Sequence, residues 1–293
     1  MRIGPNILNW FFKGYVPKMG KGRVIFKTIV STELELKYVL MNIVESLELV
    51  DYFLVCEANY SVLGEKRDFI FEKLMTQIPL LNNPKIVYVK EELDDVIVPW
   101  ANDKSNLFHN AFMIRDGFRA KFPMYENDII VSTDGDEVLF SKYVKKYVKK
   151  LRRKVLPRMG YQLRLHQIVF KLNYLWKDCD FRAPVISRAK IFLDQEFPQW
   201  RDNGTSVLKK MGTHFSWVMT TEQIYDKILT TAHRTEYEEF ANKELIEQAI
   251  KIPKWIFQPN RKFTIERINN LESKYFPKSI SIFSNLFENE VMF

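Results

Sequence analysis

Four short runs of β-branched and aromatic residues constrain this chain more than any other feature. They occupy residues 23–30 (RVIFKTIV), 51–56 (DYFLVC), 85–89 (KIVYV) and 128–133 (DIIVST). Each is rich in β-branched or aromatic residues, the composition of a strand. Between them the period changes. Residues 33–48 place Leu36, Val39, Leu40, Ile43, Val44 and Leu47 at helical spacing, and 104–120 read as a second helix before the fourth run. Strands alternating with helices predict an α/β fold with a parallel, Rossmann-like sheet in the first half, because a parallel crossover has room for a helix.

The second half opens with a basic stretch, 142–154 (KYVKKYVKKLRRK), followed by an alternating strand at 161–170. Residues 201–204 (RDNG) read as a turn, 221–230 and 242–250 as helices, and Pro253 as a breaker. No repeat or Gly/Ser-rich linker interrupts the 293 residues. The expectation is one domain over 1–293, with a nucleotide-binding half at about 23–140 and a second half at about 141–293.

A chain that is 46% hydrophobic and 14% aromatic is not a disordered one. Its net charge of +8 suits a nucleic acid, an anionic membrane or a phosphorylated ligand without choosing among them. Cys56 and Cys179 lie far apart, which excludes a disulfide framework and a cysteine-rich zinc site and fits separate thiols in a reducing compartment. The apolar cluster at 7–12 is too short to span a bilayer, and no small-residue cleavage site follows it. A cytoplasmic, soluble or peripheral protein without signal peptide or transmembrane anchor is expected.

In parallel sheets ligands gather beyond the carboxyl ends of the strands, which here selects 31–35, 57–59 and 134–137. The last is Asp134-Gly135-Asp136-Glu137. In an extended turn Asp134 and Asp136 project to one side, and such oxygen ligands suit Mg or Mn bridging to a diphosphate. Taken alone, an acidic turn is more often a solvated loop. A second candidate is His214 in 211–217 (MGTHFSW), because a neutral imidazole can complete a coordination sphere begun by carboxylates. A lone histidine, His214 or His233, is otherwise more often structural.

Together these segments resemble glycosyltransferase family 17, the group of the bisecting N-acetylglucosaminyltransferase of N-glycans. Residues 33–36 (ELEL) and 50–61 (VDYFLVCEANYS) resemble its N-E-L-D-L and V-D-x-F-V-I-C-E-S-x-x-T, followed by Gly64, Lys66 and Arg67. The acidic turn resembles S-D-x-D-E, and 212–217 (GTHFSW) resembles G-W-H-x-S-W. Lys227 and Ile228, with His233, Glu236 and Tyr237, resemble K-I-x-S-F-x-H-x-E-Y with one extra residue after the histidine. Thr213, Ala58, Leu40 and Val138-Leu139 depart from the pattern, which touches the acceptor more than the donor.

The resemblance implies a GT-A-like fold with a mixed central sheet and a C-terminal acceptor half. It also implies a UDP-sugar donor, UDP-N-acetylglucosamine first, and inverting transfer onto a hydroxyl of a glycan or glycoprotein acceptor. Mn2+ or Mg2+ would sit on Asp134 and Asp136, with His214 as a further ligand and Asp134 also on the ribose. Glu236 is the first candidate for the general base and Asp202 the second; the plain alternative for Glu236 is a pair with Arg234 or a helix cap. Glu33, Glu57 and Asn59 are candidates for the uridine, with N-capping or loop bonding as the alternative. Arg115, Arg119 and Lys66 are candidates for the diphosphate. The basic stretch reads as an amphipathic helix with a solvated face, or more sharply as a peripheral contact with an anionic membrane. Two rivals remain: a nucleic-acid-binding module, which leaves the acidic turn unexplained, and an inactive sugar-nucleotide-binding protein. The first is set aside, so no nucleic acid is expected as a partner.

Overall fold

Strand β1 (Val24–Val30) is buried along its whole length. Val24, Phe26 and Val30 enter the core on one side of the sheet, and Ile25 and Ile29 the core on the other, the two-residue alternation of a strand covered on both faces. In this computed structural model, which describes residues 22–153, 160–202, 205–257, 261–271 and 273–287, β1 pairs in parallel with β2 (Tyr52–Ala58) and β4 (Ile129–Thr133). Strand β3 (Ile86–Glu91) pairs in parallel with β2, giving the order β3-β2-β1-β4. All four expected strands are present and the first half is Rossmann-like.

From β4 the sheet continues antiparallel into β7 (Lys171–Arg188), then β6 (Tyr161–Val169), β8 (Thr205–Trp217) and β5 (Glu137–Leu139). A short β9 (Ile265–Arg267) adds to β7. Strands β4 and β5 are therefore neighbours in sequence yet separated by three strands in the sheet. Four strand spacings in a flat sheet cover about 19 Å, whereas the residues between Thr133 and Glu137 reach about 14 Å at full extension. The sheet must curl, and the fold is a mixed α/β single domain with a half-barrel sheet crossing the expected half boundary near residue 140.

The helix Leu36–Ser46 follows a 3-10 turn at Glu33–Glu35 and pins β5 through a buried amide. Asn42 Nδ2 donates to Glu137 O at 2.7 Å, and its Oδ1 accepts from Leu139 N at 3.1 Å. The basic stretch forms the helix Ser141–Arg152, whose Val144, Tyr147, Val148 and Leu151 join the core while its lysines face out. The expected turn at 201–204 is partly helical, since Gln199–Asp202 forms a short helix and residues 203–204 lie outside the described ones. Lys154 and the apolar cluster at 7–12 also lie outside them. Among the described residues, no helix is long and apolar enough to cross a membrane. Cys56 and Cys179 are buried free thiols.

Candidate functional site

The acidic turn leaves β4 at its carboxyl end and enters β5, at the floor of a cleft of about 610 Å3, a size typical of small-ligand sites. One wall is 31–35, just beyond β1. Another is the helix Lys104–Asp116, which contributes Phe108, Phe112 and Arg115. A third is the helix Thr221–Thr230, whose Gln223, Asp226, Lys227 and Thr230 face the cleft at the i, i+3, i+4, i+7 spacing of one helical stripe. That helix begins with a capping box between Thr220 and Gln223, which fixes its entry and so the direction of the stripe.

Gly135 lets the turn lie against β1. A Cβ there would stand 2.6 Å from Glu35 Oε2 and 2.7 Å from Ile29 O. Its flanking carboxylates face cations. Asp134 accepts a two-pronged contact from Arg115, Nε to Oδ1 at 3.2 Å and Nη2 to Oδ2 at 3.0 Å, and a further one from Arg201 Nη1 at 3.3 Å. Burial works against the Asp134 charge, yet Arg115 and then Arg201 overcome it and hold the carboxyl well below the usual carboxylate range. Arg201 also donates to Glu137 Oε1 at 3.3 Å, and Glu137 Oε2 accepts Asp134 N at 2.8 Å. Burial, with Asp134's charge next, pushes Glu137 up to about 8. Glu35 accepts Ser31 N at 2.7 Å and is pushed up to about 7, by burial first and by Asp136 second.

Asp136 is nearly enclosed. Lys227 Nζ donates to its Oδ2 at 3.3 Å, and also to Ser216 O at 2.6 Å and Ser216 Oγ at 3.2 Å. Burial opposes the Asp136 charge, and Lys227, followed by His214 in its protonated form, outweighs it, so its carboxyl too lies well below the usual range. Sheet register brings His214 here: Gln167 on β6, His214 on β8 and Glu137 on β5 occupy one row. Gln167 Nε2 donates to Ile168 O at 3.3 Å, so its Oε1 is the acceptor for His214 Nδ1 at 2.7 Å. The proton of a neutral imidazole is thereby held on Nδ1. Nε2 points at Asp136 Oδ1, 3.4 Å away, and in the neutral ring it is bare, with Phe181 stacked on the ring at 3.8 Å.

Two lone-pair donors facing each other at this distance match two adjacent ligands of an octahedral cation, which bonds of about 2.1 Å separate by about 3 Å. A hydrogen-bonded second nitrogen is also the usual support of a metal-binding histidine. Asp136 and His214 thus fit a divalent cation, while Asp134 is taken up by its arginines. Among the described residues no three His, Cys, Asp or Glu side chains converge as a metal cluster.

The other sequence candidates divide. Glu33 and Arg115 line the cleft. Glu57, Asn59, Asp202 and Glu236 are not among its lining residues. Glu57 is buried, with Oε1 accepting Ile70 N at 2.7 Å and Oε2 accepting Phe71 N at 3.0 Å and the Tyr88 hydroxyl at 2.7 Å, so it caps the helix Phe71–Met75. Asn59 accepts Leu93 N at 2.9 Å and donates to Asp94 at 3.1 Å, tying down the segment after β3. Lys66 pairs with Asp94 on the surface, and Arg119 is bound to Gln195 O and Asp116. Asp202 is exposed, and its neighbour Arg201 is the residue that faces inward.

Glu236 sits behind the cleft wall rather than in it. It pairs with Lys104 at 2.6 Å and approaches His233 Nδ1 at 3.1 Å, and those two partners hold its carboxyl below the usual range, Lys104 first. His233 does line the cleft, edge-on to Phe108. Sequence reasoning missed Gln167 and Arg201, and read Glu35 and Lys227 only as parts of a segment or motif. The stripe of the helix Thr221–Thr230 could have exposed Lys227, whereas Gln167 and Arg201 carry no local signal.

The sequence model of glycosyltransferase family 17 matches residues 10–267, a span that contains every residue of this cleft. A search of curated proteins finds no match.

Proposed function

The chain belongs to glycosyltransferase family 17, and we propose that it moves a sugar from a UDP-sugar, UDP-N-acetylglucosamine first, onto a glycan hydroxyl with inversion and with the help of Mn2+ or Mg2+. Its reaction class is glycosyl transfer, which involves a nucleotide sugar and an acceptor. The finer reading rests above all on the pair of Asp136 Oδ1 and His214 Nε2, two lone-pair donors facing one another in a cleft at the carboxyl ends of parallel strands. A GT-A assignment follows from the same placement.

Asp136 and His214 would hold the cation, which when bound supplies Lewis-acid neutralisation of the diphosphate. The chain's own residues do the rest. Arg115, Arg201 and Lys227 place fixed positive charge beside the turn, where the departing diphosphate gains negative charge as the bond to the anomeric carbon breaks. Asp134 would meet the ribose through what its contacts with Arg115 and Arg201 leave open. Glu33, on the wall beyond β1, would contact the donor. The acceptor hydroxyl must lose a proton as it attacks, and His233 lies on the cleft with Glu236 orienting its Nδ1–H. A carboxylate behind an imidazole keeps Nε2 bare and stabilises the imidazolium that forms. Glu236 then acts through His233, and Asp202, which is exposed, takes no part.

Calorimetry with UDP-, GDP- and CMP-sugars, each with and without Mn2+, tests this reading. UDP compounds bind, tightest with the cation present, and Asp136→Asn loses most of that gain. Wild-type, metal-enhanced binding by Asp136→Asn would remove the assigned role.

A further inference from the structure

The helix Ser141–Arg152 contains no acidic residue. Along its exposed face Lys142, Lys145, Lys146, Lys149 and Arg152 form no ion pair with a carboxylate among the described residues. Lys142 and Lys146, and Lys145 and Lys149, are like charges four residues apart, each pair mildly destabilising. Lys142 in the first turn also opposes the helix dipole. Exposed Lys209 of β8 extends the patch, its Nζ 5.0 Å from the Tyr143 ring centre. An ordinary solvated face intersperses carboxylates and avoids this repulsion; an anionic partner relieves it.

The apolar stripe of this helix is already in the core, so the helix cannot insert, and what remains is a positive plane. It runs from the end of β5 to the amino end of β1, where Arg152 Nη2 donates to Gly22 O at 3.3 Å. Gly22 is where residues 1–21 join the described chain, and by sequence they carry Ile7, Leu8, Trp10, Phe11 and Phe12 among Arg2, Lys13, Lys18 and Lys21. Aromatic and aliphatic residues beside lysines compose an interfacial anchor.

We propose that the lysine face of the helix Ser141–Arg152 docks on an anionic phospholipid surface. The proposal is independent of the chemistry in the cleft. Co-sedimentation of the full chain with phosphatidylcholine vesicles, with and without phosphatidylserine, tests it. Binding requires phosphatidylserine and fades with salt. Each surface cation contributes roughly fivefold in partitioning, so Lys145→Gln/Lys146→Gln/Lys149→Gln lowers it about 100-fold, with melting temperature and nucleotide-sugar binding unchanged. The double variant Lys142→Gln/Lys209→Gln, which touches a different pair of cations, lowers it about 25-fold. Wild-type partitioning by both variants, equal binding to phosphatidylcholine alone, or stronger binding to a random DNA duplex than to vesicles at the same salt would each overturn it.

Discussion

Replacing Gln167 with leucine probes the metal reading without touching a ligand. Leucine keeps most of the side-chain volume and removes the one acceptor that holds the proton on His214 Nδ1, 2.7 Å away. Both side chains are buried, so the imidazole must either leave Nδ1–H unsatisfied, at a cost of about 1–3 kcal/mol, or change tautomer. The second course turns Nε2 into a donor toward Asp136 Oδ1, 3.4 Å away, and removes the lone pair that a cation would use. Loss of such a supporting hydrogen bond lowers metal affinity by about 10–100-fold, equivalent to about 1.4–2.8 kcal/mol. The assay is a Mn2+ titration of the UDP-bound protein, read by calorimetry or by the signal of free Mn2+ in electron spin resonance. Gln167→Glu, which keeps an acceptor facing Nδ1, retains most of the affinity. Wild-type Mn2+ affinity in a folded Gln167→Leu protein would refute the argument, as would equal losses in the leucine and glutamate variants.

Gly135→Ala forces a Cβ against Ile29 O at 2.7 Å, a backbone atom that cannot rotate away; transfer falls at least tenfold while the melting temperature drops by no more than a few degrees, measured by donor turnover and thermal melt. His233→Gln lowers kcat by about 100-fold or more, and Glu236→Gln lowers kcat less and leaves KM for the donor unchanged. Wild-type kcat in His233→Gln would shift the base to a cleft carboxylate, Asp226 first. Glu91, almost fully buried, is pushed up to about 8 by burial against the opposing charge of Lys27. Its folded-state value lies above its unfolded one, so the native state binds the extra proton between the two, and stability falls as pH rises from about 4.5 to about 8. Its share is at most about 5 kcal/mol, and Glu91→Gln flattens the dependence of melting temperature on pH across that window. Glu35 and Glu137 act with the same sign, so a slope remains in the variant.

What the sequence made legible was local. Runs such as 128–133 are rich enough in β-branched residues to read as strands, and their order placed the acidic turn at the carboxyl end of the parallel strands. The helix Thr221–Thr230 was legible for the same reason, since its stripe and its cap lie within one segment. Strands β7 and β8 were not, because their polar residues, Lys177 and Asp178 or Lys209 and Lys210, break the alternation. That gap hid the site's second half. His214 stands within β8, and Gly212 beside it serves the sheet: a Cβ there would stand 2.3 Å from Val138 O. Close approach of β5 to β8 is what sets Glu137 opposite His214, and the β6–β8 register adds Gln167 to the row. Each of those pairings joins residues tens of positions apart through the curl of the sheet, which no period in a single segment encodes. Glu57 failed as a ligand candidate on the opposite ground. It does stand near a strand end as expected, yet a helix start two residues beyond Phe69 captures both its oxygens, and a buried carboxylate with its lone pairs already used has nothing left to offer a uridine.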